Sequence, residues 1–417
     1  MLLQATPDTG GLTSAGTLAI CLAVAVVAVL VSDRMPARLP VPAVVLQLVG
    51  GVVVGPAVLG LAREDEVVAA FSELGLAMLL FLAGYEIEPA RVRGRPLRGA
   101  VTAWGVALAV GLLVGTGVVG LTGEGTALTG LVIGLALTTT ALGTILPIVQ
   151  DAGVLESRFG THVLAVGAVG EFGPILAIAL LLSGQAPTRT ATALLVFAAL
   201  SVALLVVAQR PTPPRLLTLI ARTLHTSGQL VVLLMMLMVL VMVWLAGSLG
   251  LDVLLGAFTA GLVARAFLAA GADETVRRAT VHRLEGIGFG LLIPIFFVVS
   301  GMRFDLRSLL AEPRLLLLVP LFLALFLLVR GVPVWLVARR DLPSGERVAL
   351  GLYGATALPL VVVITTIGMR SGGLPAGVAA ALVGAGMVSV LVLPLVANRL
   401  LGRAAAGHSP AARPGAL

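Results

Sequence analysis

The sequence predicts an all-α polytopic membrane protein of about 13 transmembrane helices, built as two inverted six-helix repeats with crossed, broken helices. Three observations carry that expectation. First, the 417 residues are 59% hydrophobic and only 11% charged, with a mean hydropathy of +1.12, far more apolar surface than a water-soluble fold needs. Second, the apolar residues come in repeated runs of about 20, the length that crosses a hydrocarbon core. Third, the fifth and the twelfth runs are interrupted by Thr, Gly and Pro, and each is fifth in its group of six.

The runs fall near 13–32, 41–61, 67–87, 99–120, 126–150, 161–183, 191–208, 229–247, 251–270, 285–301, 315–338, 347–369 and 376–401. No basic stretch precedes the first, so it is expected as a retained helix and not a signal peptide. The 50 glycines suit close helix packing in lipid. The longest hydrophilic segments are 209–228 and 271–284. The first, QRPTPPRLLTLIARTLHTSG, is expected as a linker with a short interfacial helix. The six runs before run 7 and the six after it then start on opposite faces, which makes the repeat inverted, a common transporter design.

All 27 basic residues are arginine. Twenty lie after odd-numbered runs or in the C-terminal tail, and six (Arg63, Arg189, Arg303, Arg307, Arg314 and Arg370) lie on the other side. That bias places the N-terminus outside and the C-terminus in the cytoplasm of a multi-pass cell-membrane protein. A net charge of +7 and pI of 11.1 are thereby explained by scattered loop arginines and not by nucleic-acid binding. The lone Cys21 excludes an internal disulfide. Phosphate-cradling Gly-rich loops, paired Cys clusters and the HExxH zinc motif are absent from the sequence, so neither a nucleotide-driven pump nor an intramembrane protease is expected, and no cofactor.

The remaining arginine, Arg330, lies inside LLLLVPLFLALFLLVRGVPVWLVA. Its counterpart is Glu171, the one charge in VLAVGAVGEFGPILAIALLL. Ionisable groups in hydrocarbon are functional hypotheses by default. At 1.5 Å per residue, Glu171 sits about 16 Å and Arg330 about 13 Å from the same side, so the two meet if their helices are neighbours. Either they form a structural ion pair, or the carboxylate is periodically freed; a buried pair contributes little net stability. Gly167, Gly170 and Gly173 leave a bare face beside Glu171. Pro174 removes the helical donor to the Gly170 carbonyl. A carboxylate and a free carbonyl are hard oxygen ligands for a small cation.

The interrupted runs read LALTTTALGTILPIV, with Thr138, Thr139, Thr140, Gly143 and Pro147, and GLYGATALPLVVVITTIG, with Gly354, Thr356 and Pro359. Hydroxyls and proline-freed carbonyls satisfy unwound backbone at membrane depth, and breaks at matching places in two halves mark a midplane ion site. The alternative is that each Thr bonds back to its own helix and each Pro makes a kink. Gln47 either lines a funnel or packs. Glu86, Glu88, Asp151, Asp252 and Asp305 lie near helix ends, where solvation is expected; His162, also at an end, has pH sensing as its alternative.

These residues resemble the cation:proton antiporters of the Kef-type and NapA-type branch. LLFLAGYEIEPARVRG resembles that family's third-helix signature and QLVGGVVVGPAVLG its second. TTTALGTILPIVQDAG resembles its first crossed helix, and PIFFVVSGMRFDL a later signature stretch. The resemblance aligns Gly170–Glu171 with the ion-site dipeptide, where Asp-Asp, Asn-Asp or Gln-Asp is usual, and Arg330 with its basic residue. Glu therefore replaces Asp, and Gly170 removes the first polar member. The resemblance further implies an NhaA/NapA-like fold and a homodimer in the bilayer. Its mobile core would comprise helices near 99–183 and 315–401, and its dimer scaffold those near 13–87 and 191–301. No soluble regulatory domain is expected. The function implied is exchange of Na+ or K+ for protons by alternating access; because Gly170 leaves Glu171 as the one carboxylate, the exchange is expected to be electroneutral. Glu171 would bind the proton or the cation, Thr138, Thr139, Thr140 and Thr356 would add oxygen ligands beside Gly170, and Arg330 would be the charge partner. A proton- or sodium-coupled organic solute transporter on a related fold is the alternative.

Overall fold

The computed structural model describes residues 14–35, 41–87, 93–122, 125–151, 153–181, 187–210, 229–272, 274–304, 306, 309 and 312–407. Among them every regular element is helical, and eleven helices are long and apolar enough to cross a membrane. In chain order the helices are α1 (Ser14–Arg34), α2 (Ala43–Val54), α3 (Glu66–Glu86), α4 (Arg95–Thr122), α5 (Ala127–Ala136), α6 (Leu142–Asp151), α7 (Arg158–Leu181) and α8 (Pro187–Ala208). There follow α9 (Leu230–Ser248), α10 (Val253–Gly271), α11 (Glu274–Met302) and α12 (Pro313–Arg340). The last are α13 (Ser344–Gly354), α14 (Pro359–Arg370) and α15 (Ala376–Gly407). Two of the expected spans are each filled by a broken pair, α5 with α6 and α13 with α14. The proposed interfacial helix in 209–228 falls largely outside the described residues.

Two boundaries differ instructively. Helix α2 stops at Val54 because Gly55 is extended (φ −71°, ψ 178°) and Pro56 cannot continue a helix. Helix α11 starts at Glu274, well before the expected 285. ETVRRATVHRLEGI is polar and reads as a loop, yet Glu274 pairs with Arg277 and, at 2.6 Å, with Arg278. These are the i,i+3 and i,i+4 spacings that support a helix. Helices α11 and α12 also each contain a π turn, Gly288–Leu292 and Phe326–Gly331, closed by Ile293 N–H to Gly288 O and Val332 N–H to Leu327 O. Each is followed by a proline, Pro294 or Pro333, whose missing N–H disturbs the four-residue ladder there.

The chain divides into two compact units, Met1–Glu86 with Gln185–Arg307 and Ile87–Gly184 with Ser308–Leu417. In the first, α2 and α11 approach through bare backbone. A Cβ on Gly51 would lie 2.1 Å from the Val298 carbonyl, and one on Gly301 2.1 Å from that of Leu48. One end is clamped by polar bonds. Arg303 Nε donates to Glu64 at 2.7 Å, Ser14 Oγ to Asp65 at 2.6 Å, and Asp65 accepts from Val68 N–H at the start of α3 at 2.9 Å.

The second unit packs α4 against α5 the same way, with Gly111 and Gly115 facing Gly130 and Gly134 in two small-xxx-small pairs. A Cβ on Gly115 would lie 2.1 Å from the Gly130 carbonyl. The obstacle to a side chain at Gly115 is backbone, which cannot swing aside as a flexible side chain can. Gly115→Val therefore costs about 1–3 kcal/mol or more and lowers the thermal midpoint of the detergent-purified protein by several degrees. Gly105→Ala, on the same helix with no atom within 4 Å of its Cβ, leaves the midpoint unchanged or raises it; equal effects would mean that α4–α5 packing does not limit stability.

Candidate functional site

The site is built where the two broken spans meet within the second unit. Helix α5 stops at Ala136 because the threonines that follow bond back to its last carbonyls. Thr138 Oγ1 donates to Leu135 O at 2.8 Å and Thr139 Oγ1 to Ala136 O at 2.9 Å, so side chains satisfy groups that a further helical turn would have used. Helix α13 ends similarly, with Thr356 Oγ1 on Leu352 O at 3.0 Å. Pro359 then holds Leu358 out of helical geometry, at φ −150° and ψ −59°.

The unwound segments bond to each other. Ala141 N–H donates to Thr356 O at 2.8 Å and Thr140 N–H to Gly170 O at 3.0 Å. Thr140 Oγ1 donates to Gly354 O at 2.7 Å, and Ala357 N–H to Ser389 Oγ on α15 at 3.0 Å. Backbone groups that would be ruinous if left bare at membrane depth thus each find a partner. Thr138, Thr140 and Thr356 are at most 1% exposed.

Arg330 enters this crossing from the π turn of α12 and is fully buried, at 0% exposure. Its Nε donates to Thr140 Oγ1 at 3.0 Å and its Nη2 to the Val166 carbonyl of α7 at 2.8 Å. Nη1 has no hydrogen-bond partner among the described residues. The guanidinium reaches α7 at the level of Gly170, where a Cβ would lie 2.6 Å from Nη2 and 2.4 Å from Thr140 Oγ1. Glycine at 170 is what this approach requires; a larger residue there has no room. The next residue is Glu171, buried at 5% exposure. Sequence reasoning placed both charges at similar depth, and the structure brings Arg330 to the residue preceding Glu171.

One expectation needs correction. The Gly170 carbonyl, left without a helical donor by Pro174, is not free: it accepts from Thr140 N–H at 3.0 Å. The glycine face beside Glu171 admits close neighbours, as small residues there lead one to expect. Gly167 is met by Leu142, Gly170 by Thr140 and Arg330, and Gly173 by the Trp104 ring, whose nearest atom would lie 2.4 Å from an added Cβ. The hydroxyls of Thr138, Thr139 and Thr356 donate back to carbonyls three or four residues earlier in their own chain segments, the alternative the sequence offered, whereas that of Thr140 donates across the crossing to Gly354 O.

Of the lower-ranked polar groups, Asp252 caps α10 by accepting from Leu254 N–H at 3.0 Å. Glu86 is not simply solvated: its Oε2 is buried with no hydrogen-bond partner among the described residues. His162 is buried as well, with Nδ1 at 2.8 Å from Arg158 O and Nε2 at 3.8 Å from Asp341. Gln47 is buried in the first unit. Glu88, Asp305 and the Asp151 and Pro147 side chains lie outside the described residues. Ser389 and the Val166 carbonyl went unforeseen. Ser389, a lone hydroxyl in the apolar GMVSVLVLPL, was the one with a legible signal.

Comparison with known proteins follows the same line. The profile of the family described as "Sodium/hydrogen exchanger, transmembrane" matches residues 21–402. An Enterococcus hirae Na(+)/H(+) antiporter is 25% identical over 90% of this chain and 96% of its own. The glutathione-regulated potassium-efflux system protein KefC of Klebsiella pneumoniae is 29% identical over 74% of this chain. This chain spans 48% of that protein's length and 64% of a Bacillus subtilis relative's. The solved structure of the sodium proton antiporter MjNhaP1 from Methanocaldococcus jannaschii has the same fold, with a TM-score of 0.65 over 93% of this chain and 98% of that one at 17% identity.

Proposed function

Since this chain belongs to the transmembrane sodium/hydrogen exchanger family, we propose that it exchanges a monovalent cation, Na+ or K+, for protons by alternating access, with Glu171 as the group for which the two compete. It is a secondary transporter embedded in the bilayer and makes or breaks no covalent bond. The observation that carries the proposal is a buried carboxylate next to Gly170, where two unwound segments and a buried arginine converge. The relatives above do not favour an organic solute.

The cycle uses few groups. Protonated Glu171 is neutral and crosses; ionised Glu171 crosses with a cation; the bare anion does not. Coupling is that prohibition. Arg330, pinned to Thr140 and Val166, supplies a fixed positive charge beside the empty carboxylate. The oxygens of Thr138, Thr139, Thr140 and Thr356 are the neighbouring ligands available to a partly dehydrated ion. The unit Ile87–Gly184 with Ser308–Leu417 is the moving core, and the other unit is the scaffold through which two copies form a dimer. The arginine bias orients the N-terminus outside and the C-terminus in the cytoplasm.

A single carboxylate exchanging one proton for one monovalent cation moves no net charge per cycle. Arginine resists deprotonation, so Arg330 does not add a second titrating group. Exchange in proteoliposomes should thus be insensitive to an imposed potassium–valinomycin potential when Na+ is the substrate. The same vesicles, pulsed with Na+, K+ or Li+ against a pH gradient, identify the cation. Failure of every ion to collapse the gradient overturns the proposal; a rate that climbs steeply with potential overturns only the one-for-one stoichiometry.

A further inference from the structure

Helices α12 and α13 form an antiparallel hairpin in the second unit, closed by the turn at Asp341–Pro343. Backbone contact sets its spacing: a Cβ on Gly331 would lie 3.1 Å from the Gly351 carbonyl, and one on Gly351 3.0 Å from that of Gly331. One turn beyond Gly331, Trp335 packs on Gly351, with its Cβ 3.4 Å from an added Cβ there. Two guanidiniums then share its ring. The Arg339 Cζ lies 5.8 Å from the centroid and the Arg347 Cζ 5.5 Å, both within cation–π range.

Two like charges on one indole are costly unless something negative lies between them, and the described acids do not supply it. Asp341 is turned to Arg95, at 3.3 Å. Glu346 precedes Arg347 and points about 100° away around the helix. Arg347 Nε is buried with no hydrogen-bond partner among the described residues. The site also has an apolar approach. Leu328, Val332 and Leu336 are 53%, 40% and 44% exposed; at four-residue spacing they form a stripe along α12 that ends at the arginines.

We propose that this hairpin binds an anionic phospholipid, its phosphate received by Arg339 and Arg347 over Trp335 and an acyl chain lying along Leu336, Val332 and Leu328. A diacyl phosphate joins the only two features the site offers, a paired cationic end and a lipid-facing stripe. A tryptophan at the boundary of a span is the usual interfacial anchor, and arginines near the surface attract anionic headgroups. Bound lipid would fasten the α12–α13 hairpin, whose end away from the turn carries Arg330 on α12 and Thr356 just past α13.

The test is lipid binding, which does not depend on the transport reading. Full-length protein in detergent is titrated with dioctanoyl phosphatidylglycerol, dioctanoyl phosphatidylcholine or inorganic phosphate, with bound lipid counted by native mass spectrometry and the thermal midpoint followed. Phosphatidylglycerol should bind and raise the midpoint, whereas the other two should not. Each arginine near an anionic headgroup is worth about fivefold, so Arg339→Gln with Arg347→Gln weakens binding roughly thirtyfold. Arg347→Lys, which keeps the charge, loses less, and Arg399→Gln, an exposed arginine on α15, changes nothing. Equal binding by the double variant, an equal loss with Arg399→Gln, or equal stabilisation by inorganic phosphate would each overturn the proposal. If the double variant does not fold, the Arg347→Lys and Arg399→Gln comparison decides alone.

Discussion

Glu171→Gln should reduce cation-dependent proton movement to the level of empty vesicles while leaving the protein folded and inserted. The substitution is nearly isosteric. It removes one thing, the ability to ionise, and the proposed cycle has no other carboxylate at the crossing to take its place. Stability should change little, because the amide is cheaper to bury than a carboxylate. Glu171→Asp is the informative contrast. It keeps the acid but draws it back by one methylene, about 1.5 Å, into a site whose depth Gly170 and Arg330 already fix. Exchange should survive with a changed apparent cation affinity. The measurement is fluorescence of a pH probe in proteoliposomes, alongside the thermal midpoint of each variant. Substantial exchange by Glu171→Gln would remove Glu171 as the shared site, and loss of folding in both variants would make it a structural residue.

Most of the fold was legible in the sequence because membrane spans are set by length and apolarity, which are sums over many residues. The breaks were legible for a different reason. Three consecutive threonines, Thr138 to Thr140, or Thr356 followed by Pro359, supply the local chemistry that unwound backbone needs in lipid. Which hydroxyl meets which carbonyl was not legible. Thr140 and Gly354 are far apart in sequence, and Thr140 is distinguished from Thr138 and Thr139 only by the partner the crossing brings to it. Sequence reasoning also took the loss of one helical bond at Pro174 as an opening for an ion. It missed that an unwound segment elsewhere has an orphan N–H in need of an acceptor, and Thr140 N–H takes that carbonyl. The polar start of α11 was misread because its support is a set of side-chain pairs around Glu274 and not a hydrophobic face. At Gly170, the sequence showed a missing polar residue; the structure shows a space taken by Arg330.

Arg330→Ala should be the most destabilising single change in the second unit. The side chain is large and fully buried, and it ties three elements together: α12, which carries it, the unwound Thr140 and the Val166 carbonyl of α7. Truncation removes two charge-assisted hydrogen bonds, each worth about 1.5–3 kcal/mol, and leaves a cavity where α7 meets the crossing. Against this stands the relief of a buried charge's desolvation, which can offset much of the loss. The cavity decides the sign. Arg330→Met fills most of the volume without the charge, so it should recover much of the thermal midpoint but none of the normal exchange. Arg330→Lys keeps the charge without the planar fork that reaches Thr140 and Val166 together, and should lie between wild type and Ala in both. Gly170→Ala supplies an independent check. Its added methyl meets Arg330 Nη2 and Thr140, so it is harmful alone. Its cost should shrink in the Arg330→Ala background, where half of the obstruction is gone, and the double-mutant cycle reads that coupling directly. Additive effects of Gly170→Ala and Arg330→Ala, or a wild-type midpoint and pH profile for Arg330→Ala, would show that the guanidinium does not organise the crossing.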